Sequence, residues 1–133
     1  MTQPLRTFLR YWLPLLIYIG LIFIFSSLSR RPHSILEFIP DKLLHFIEYA
    51  LLAALTVRAI NSLPRPNAWW LVLLLTLGVV AVLGVLDELY QSTIPHRHPD
   101  VLDWVADAAG GLAGGICYLM AKRWLVGKVE SAN

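Results

Sequence analysis

Two stretches without a charged side chain decide what this chain can fold into. Residues 11–29 run for 19 positions without one, and residues 66–86 run for 21. Each is long enough to cross the roughly 30 Å hydrocarbon core of a bilayer as a helix. Residues 43–60 and 101–124 make comparable apolar segments, interrupted near their starts by His45 and Glu48 and by Asp103 and Asp107. If these two were buried helices of a soluble domain, too little of the 133-residue chain would remain to shield the other two. The reading is therefore an all-α membrane protein, a four-transmembrane-helix up-down bundle with helices at approximately 11–29, 43–60, 68–91 and 101–124 in a single domain over 1–133. Composition agrees, since 15% of residues are charged where soluble domains carry about 25%.

Other classes fall away on the same arithmetic. Eleven Lys and Arg against nine Asp and Glu leave a net charge of +2, which gives no basic patch for nucleic acid. The single cysteine, Cys117, excludes an intramolecular disulfide framework and a multi-cysteine metal site, and is expected to be a small apolar packing residue. The first apolar run exceeds the roughly 7–15 residues of a signal-peptide core, so the first helix is expected to stay.

Orientation follows from the cations. Arg6, Arg10, Arg58, Arg65, Lys122, Arg123 and Lys128 fall on one side of such a bundle, and Arg30, Arg31, Lys42 and Arg97 on the other. The larger group marks the cytoplasmic side, which puts both termini in the cytoplasm. Tyr11, Trp12, Trp69, Trp70 and Trp124 would form the aromatic belt there, with Tyr90 and Trp104 at the outer boundary. Ser34-Ile35-Leu36-Glu37 reads as a capping box opening a short amphipathic interfacial helix between the first two spans, stopped by Pro40. Asp41 and Asp100, each after a proline, are expected N-caps of the second and fourth helices.

The acids are distributed unevenly. Eight of nine, and all four histidines, gather at the outer end of the bundle. On a helix with 100° per residue, Asp41, His45 and Glu48 lie within about 60° of one another, with Tyr49 beside them. Asp87 and Gln91 share a face of the third helix, with Glu88 turned away by about 100°. Asp103, Asp107, Gly110 and Gly114 form one stripe of the fourth. An ionised side chain in hydrocarbon costs roughly 2.5–3.5 kcal/mol, so these faces are expected to turn inward around a polar pocket. Lys42 and Arg97 would supply compensating charge, and Ser26 and Ser27 would bond to the preceding turn or line the pocket. The tandem pairs Gly110/Gly114 and Gly111/Gly115 predict a close helix-helix seam.

Three chemistries fit the face carrying Asp41, His45 and Glu48. Imidazole with carboxylates serves as a divalent-metal site, as an acid/base set, or as a structural network tying helices together. No cofactor is required by any motif, and the metal is the one candidate. No nucleophile elbow, paired-histidine zinc motif or phosphate-cradling glycine loop is present.

The ordered set Asp41-Lys42-x2-His45-x3-Tyr49, Asp87-Glu88-x2-Gln91, then Arg97 followed by Asp103, Asp107 and the glycine seam, resembles the VanZ-like family of small bacterial membrane proteins over about residues 26–118. The resemblance implies a multi-pass protein of the bacterial cytoplasmic membrane, in a family whose namesake is associated with resistance to the glycopeptide teicoplanin. Two positions depart from the family pattern, His96 where a glycine is common and Asp107 where an asparagine is common.

Three functions are carried forward. In the first, the outward pocket binds or modifies a lipid-linked or cell-wall-related ligand. His45 is its general acid or base, Asp41 and Glu48 orient it, and Lys42 and Arg97 contact anions. Tyr49, Asp87, Glu88, Gln91, Asp103 and Asp107 complete the lining. In the second, the chain is a proton-coupled carrier titrating Glu48. In the third, the charges lock a non-catalytic interaction protein together.

Overall fold

The computed structural model describes residues 2–27, 40–64, 68–95 and 100–131. Among these it contains four long helices and no strand: α1 (Gln3–Ser26), α2 (Asp41–Ile60), α3 (Trp69–Gln91) and α4 (Val101–Glu130). All four are long and apolar enough to cross a membrane. The interfacial helix expected at residues 34–39, and Arg97, lie outside the described residues.

Local chemistry explains most of the helix limits. Asp100 takes the N-cap of α4, its side chain accepting the Leu102 N–H at 2.8 Å. Asp41, expected to cap α2, is instead its first helical residue. Pro40 holds the cap with extended backbone, and its carbonyl accepts from Leu43 and Leu44. Asp41 there still favours the positive end of the helix dipole. At the far end of α2, the Asn61 side chain donates to the Val57 carbonyl at 2.9 Å and that of Ser62 to the Ala59 carbonyl at 2.6 Å, each a second donor beside the same residue's backbone N–H.

Helix α1 begins at Gln3, earlier than the uncharged run, and contains one wide turn over Phe8–Trp12 just before Pro14. Proline has no N–H to give to the carbonyl four residues back, which is that of Arg10. The Arg58 guanidinium, from the end of α2, donates to that carbonyl at 3.0 Å. A sequence-local defect thereby becomes a tie between helices. Helix α4 runs six residues past the expected end. At 1.5 Å per residue its 30 residues span about 45 Å, so its last turns outreach a hydrocarbon core of about 30 Å. These turns carry Lys122, Arg123, Lys128 and Glu130.

The helices alternate in direction. Arg58 of α2 reaches Arg10 of α1 at one end, where Asn61, Trp69 and Arg123 also line a common cleft. At the other end Gln91 of α3 meets Ser26 of α1, and Lys42 of α2 meets Asp103 of α4. Helix α2 is the central element, with Tyr49, Leu52, Ala53, Val57 and Ala59 fully buried. Large apolar side chains such as Ile17, Phe25, Leu74, Val82 and Met120 face outward. Cys117, expected to pack internally, is also exposed, because it lies off the glycine stripe by which α4 meets its neighbours.

In a bilayer the exterior is as apolar as the interior, so association depends on close packing and polar ties. The glycine seam supplies the packing. A Cβ added at Gly110 would collide with the backbone carbonyl of Phe46, and one at Gly114 with that of Ala50. Gly111 and Gly115 face Val80 and Leu73 of α3. The cationic end is dressed as the sequence suggests, with Arg10 and Arg58 over the Tyr11 ring, Arg123 over Trp69 and Lys128 over Trp124.

Candidate functional site

The polar end is built from all four helices and divides into two linked groups. The first joins α2 to α4. His45, 4% exposed, shares a hydrogen bond between Nδ1 and Asp107 Oδ1 at 2.9 Å. Its Nε2 lies 3.9 Å from Asp103 Oδ2, beyond hydrogen-bond reach. The other Asp103 oxygen accepts from Lys42 Nζ at 3.0 Å, and the same ammonium reaches Asp100 Oδ2 at 2.6 Å. That ion pair and the Leu102 N–H hold the Asp100 carboxyl below the usual carboxylate range.

The second group joins α1 to α3. Gln91 Nε2 donates to Ser26 Oγ at 2.8 Å and to Asp87 Oδ2 at 2.9 Å. Phe23 and Tyr90 brace this contact edge to face, with ring centroids 5.8 Å apart. Replacing Gln91 by leucine would strip the Asp87 carboxylate and the Ser26 hydroxyl of this donor inside the bundle. A loss of about 1–3 kcal/mol is expected, readable as a lower thermal midpoint in detergent, while Ser92→Ala, at an exposed helix end, should change nothing.

Tyr49, fully buried one turn below His45, stands among the charges of both groups. Its hydroxyl has no hydrogen-bond partner among the described residues, and neither do Asp107 Oδ2 and Asp87 Oδ1. Gly84 of α3 makes room for Asp107: a Cβ there would sit 3.1 Å from Oδ2 and 3.0 Å from the Trp104 ring. Trp104 also donates Nε1–H to the Ala81 carbonyl at 3.3 Å, so it ties α4 to α3.

The residues singled out from sequence do not all meet at one point. His45, Asp103, Asp107 and Lys42 converge, and Asp41 joins them at the exposed rim, with a ligand atom from each of Asp41, His45 and Asp103 within 4.8 Å of the others. The carboxylate hydrogen-bonded to His45 is Asp107, from across the glycine seam, although Asp41 and Glu48 were expected to orient the ring. Side chains four apart on one face can meet, as Gln91 and Asp87 do, but the His45 ring takes its partner across the seam, where the close approach of α4 to α2 brings Asp107 against it. Half-buried Glu48 has its backbone carbonyl accepting the Tyr18 hydroxyl at 3.1 Å. Glu88 Oε2 accepts the Asp100 N–H at 2.8 Å, its Oε1 is buried without a partner among the described residues, and the residue borders an apolar groove of about 470 Å³ between α3 and α4. Asp100, read from sequence as a cap, also partners Lys42, and the proline before it gave no sign of that.

Chemically, the His45–Asp107 pair fixes the imidazole. A carboxylate on Nδ1 favours the tautomer protonated there and leaves the Nε2 lone pair for a ligand, a proton or a metal. No curated protein and no solved structure matches the chain. The family model described as VanZ/LLP1 matches residues 8–122, which include every element of this polar end among the described residues. A four-span bundle with that match over most of its length is a multi-pass membrane protein, and the chain belongs to the VanZ/LLP1 family.

Proposed function

We propose that this chain is a cell-envelope protein of the bacterial cytoplasmic membrane, with both termini in the cytoplasm, whose polar end opens to the outer leaflet and receives the polar head of a lipid-linked or cell-wall-related ligand. The observation that carries this reading is the set of unspent polar atoms gathered from separate helices. Among the described residues, Tyr49 Oη, Asp87 Oδ1, Glu88 Oε1 and Asp107 Oδ2 are buried without partners, and His45 Nε2 has none within hydrogen-bond reach. A bundle serving only to hold itself together gains nothing from leaving buried polar atoms unpaired, since each costs about 1–3 kcal/mol. Ligand groups or water that satisfy them recover that cost. The cations and aromatics at the opposite end support the orientation.

Resistance to a glycopeptide of the teicoplanin type gives the test. Expression in a susceptible strain is expected to raise the inhibitory concentration of teicoplanin severalfold, and His45→Gln, at equal membrane abundance and thermal midpoint, to return it to the vector level. An unchanged phenotype in that variant would sink the role of His45. Loss of phenotype only in proportion to loss of protein would favour a purely structural network.

A further inference from the structure

Sequence spacing placed three metal-capable side chains on one face of α2; the tertiary structure selects a different trio. We propose that Asp41, His45 and Asp103 hold a divalent first-row transition-metal cation at the polar end of the bundle, with Asp107 as the buried carboxylate that orients His45. The proposal deepens the proposed function, because the cation is what oxygens of the ligand head group would meet, and to that extent it rests on that reading.

Four observations converge. A ligand atom from each of Asp41, His45 and Asp103 lies within 4.8 Å of the other two. His45 is buried, and its Nε2 points at Asp103 Oδ2 across 3.9 Å without a hydrogen bond. That gap is too long for direct bonding, and ligands about 2.0–2.2 Å from one ion in a tetrahedral site stand about 3.3–3.6 Å apart, so His45 and Asp103 need only close by a few tenths of an ångström, and the exposed Asp41 side chain by roughly 1 Å, to share an ion. The other ring nitrogen is engaged by Asp107 at 2.9 Å, the carboxylate–histidine arrangement that fixes ring orientation in metal sites and strengthens the ligand. Asp103 is divided in the same way, with Oδ1 on Lys42 and Oδ2 toward His45.

Charge and access agree. Carboxylates of α2, α3 and α4 gather here, while Lys42 is the one lysine or arginine at this end among the described residues and already serves Asp100 and Asp103. Asp41 is exposed, so an ion can enter from water and keep coordination positions for solvent or ligand. Imidazole with two carboxylates suits Zn2+ or Mn2+ better than Ca2+ or Mg2+, which prefer all-oxygen sets.

The experiment uses the full chain purified in detergent, stripped with chelator and titrated with Zn2+ and with Mn2+, following bound metal by equilibrium dialysis and Mn2+ by electron paramagnetic resonance. Wild type is expected to bind about one ion per chain. Asp103→Asn and Asp41→Asn should each weaken binding at least tenfold, and Asp107→Asn by about 10–100-fold through the orientation of His45. Glu130→Gln, at the other end of α4, should bind as wild type. Asp41→Asn alters an exposed rim residue, so its readout survives should the buried variants fail to fold. Absence of saturable binding to folded wild type, or binding indifferent to Asp41→Asn and Asp103→Asn, overturns the proposal. If teicoplanin susceptibility still depends on His45 in that case, the ion alone is lost and the proposed function stands. If His45 no longer matters either, both fall.

Discussion

Alanine at Gly110 or Gly114 is expected to cost the bundle about 3 kcal/mol, the upper range for overpacking in a tight interior. In each case the new Cβ would overlap a backbone carbonyl of α2, that of Phe46 or Ala50. Backbone cannot rotate away as a side chain can, so relief requires α2 and α4 to separate along their whole contact. That motion would also pull His45 from Asp107 and Lys42 from Asp103. Alanine at Gly111 or Gly115 meets the tips of Val80 and Leu73 instead, at 2.6 Å and 2.9 Å. Leu73 can turn, so a cost nearer 1 kcal/mol is expected at Gly115, whereas β-branched Val80 presents both Cγ atoms and its Cβ at 3.2 Å, so about 2 kcal/mol is expected at Gly111. Gly20 and Gly78 have nothing within 4 Å, so alanine there should be neutral or stabilise the helix by up to about 1 kcal/mol. Thermal unfolding of the six detergent-solubilised variants gives the ranking, and equal midpoints for Gly110→Ala and Gly78→Ala would contradict the packing described.

The second large effect is expected at the His45–Asp107 pair. Removing either partner of this buried hydrogen bond to a carboxylate leaves the other unsatisfied inside the bundle, which costs about 3 kcal/mol. His45→Leu and Asp107→Leu should therefore each lower the thermal midpoint sharply. The double variant should recover most of the loss, because two leucines place no orphaned polar group in the bundle. Such recovery corresponds to a coupling energy of at least about 3 kcal/mol, the top of the range for residues in direct contact. Recovery of stability without recovery of teicoplanin phenotype or cation binding would separate function from architecture. Recovery of all three would return the site to a structural lock. Additive losses would mean that the 2.9 Å contact does not couple the two side chains.

Much of this was legible in the chain itself. The uncharged runs at 11–29 and 66–86 fixed the membrane spans, because length and absence of charge are one-dimensional properties. Alternating helices then brought every acid of α2, α3 and α4 except Glu130 to one end whatever the details of packing. The stripe Asp103, Asp107, Gly110, Gly114 showed the seam, since one helix face can be counted from residue numbers.

Which side chain meets which across that seam was a different kind of question. The sequence places Asp41, His45 and Glu48 on one face, yet Asp107 holds the imidazole, because the pairing depends on the rotation and axial offset of α4 against α2 and these are set by backbone contact at Gly110 and Gly114. Pro14 likewise announces a missing donor, but only the fold delivers Arg58 to the carbonyl it leaves behind. Periodicity along one helix fixes which residues share a face. The relative placement of two helices fixes which faces, and which atoms, come within bonding distance.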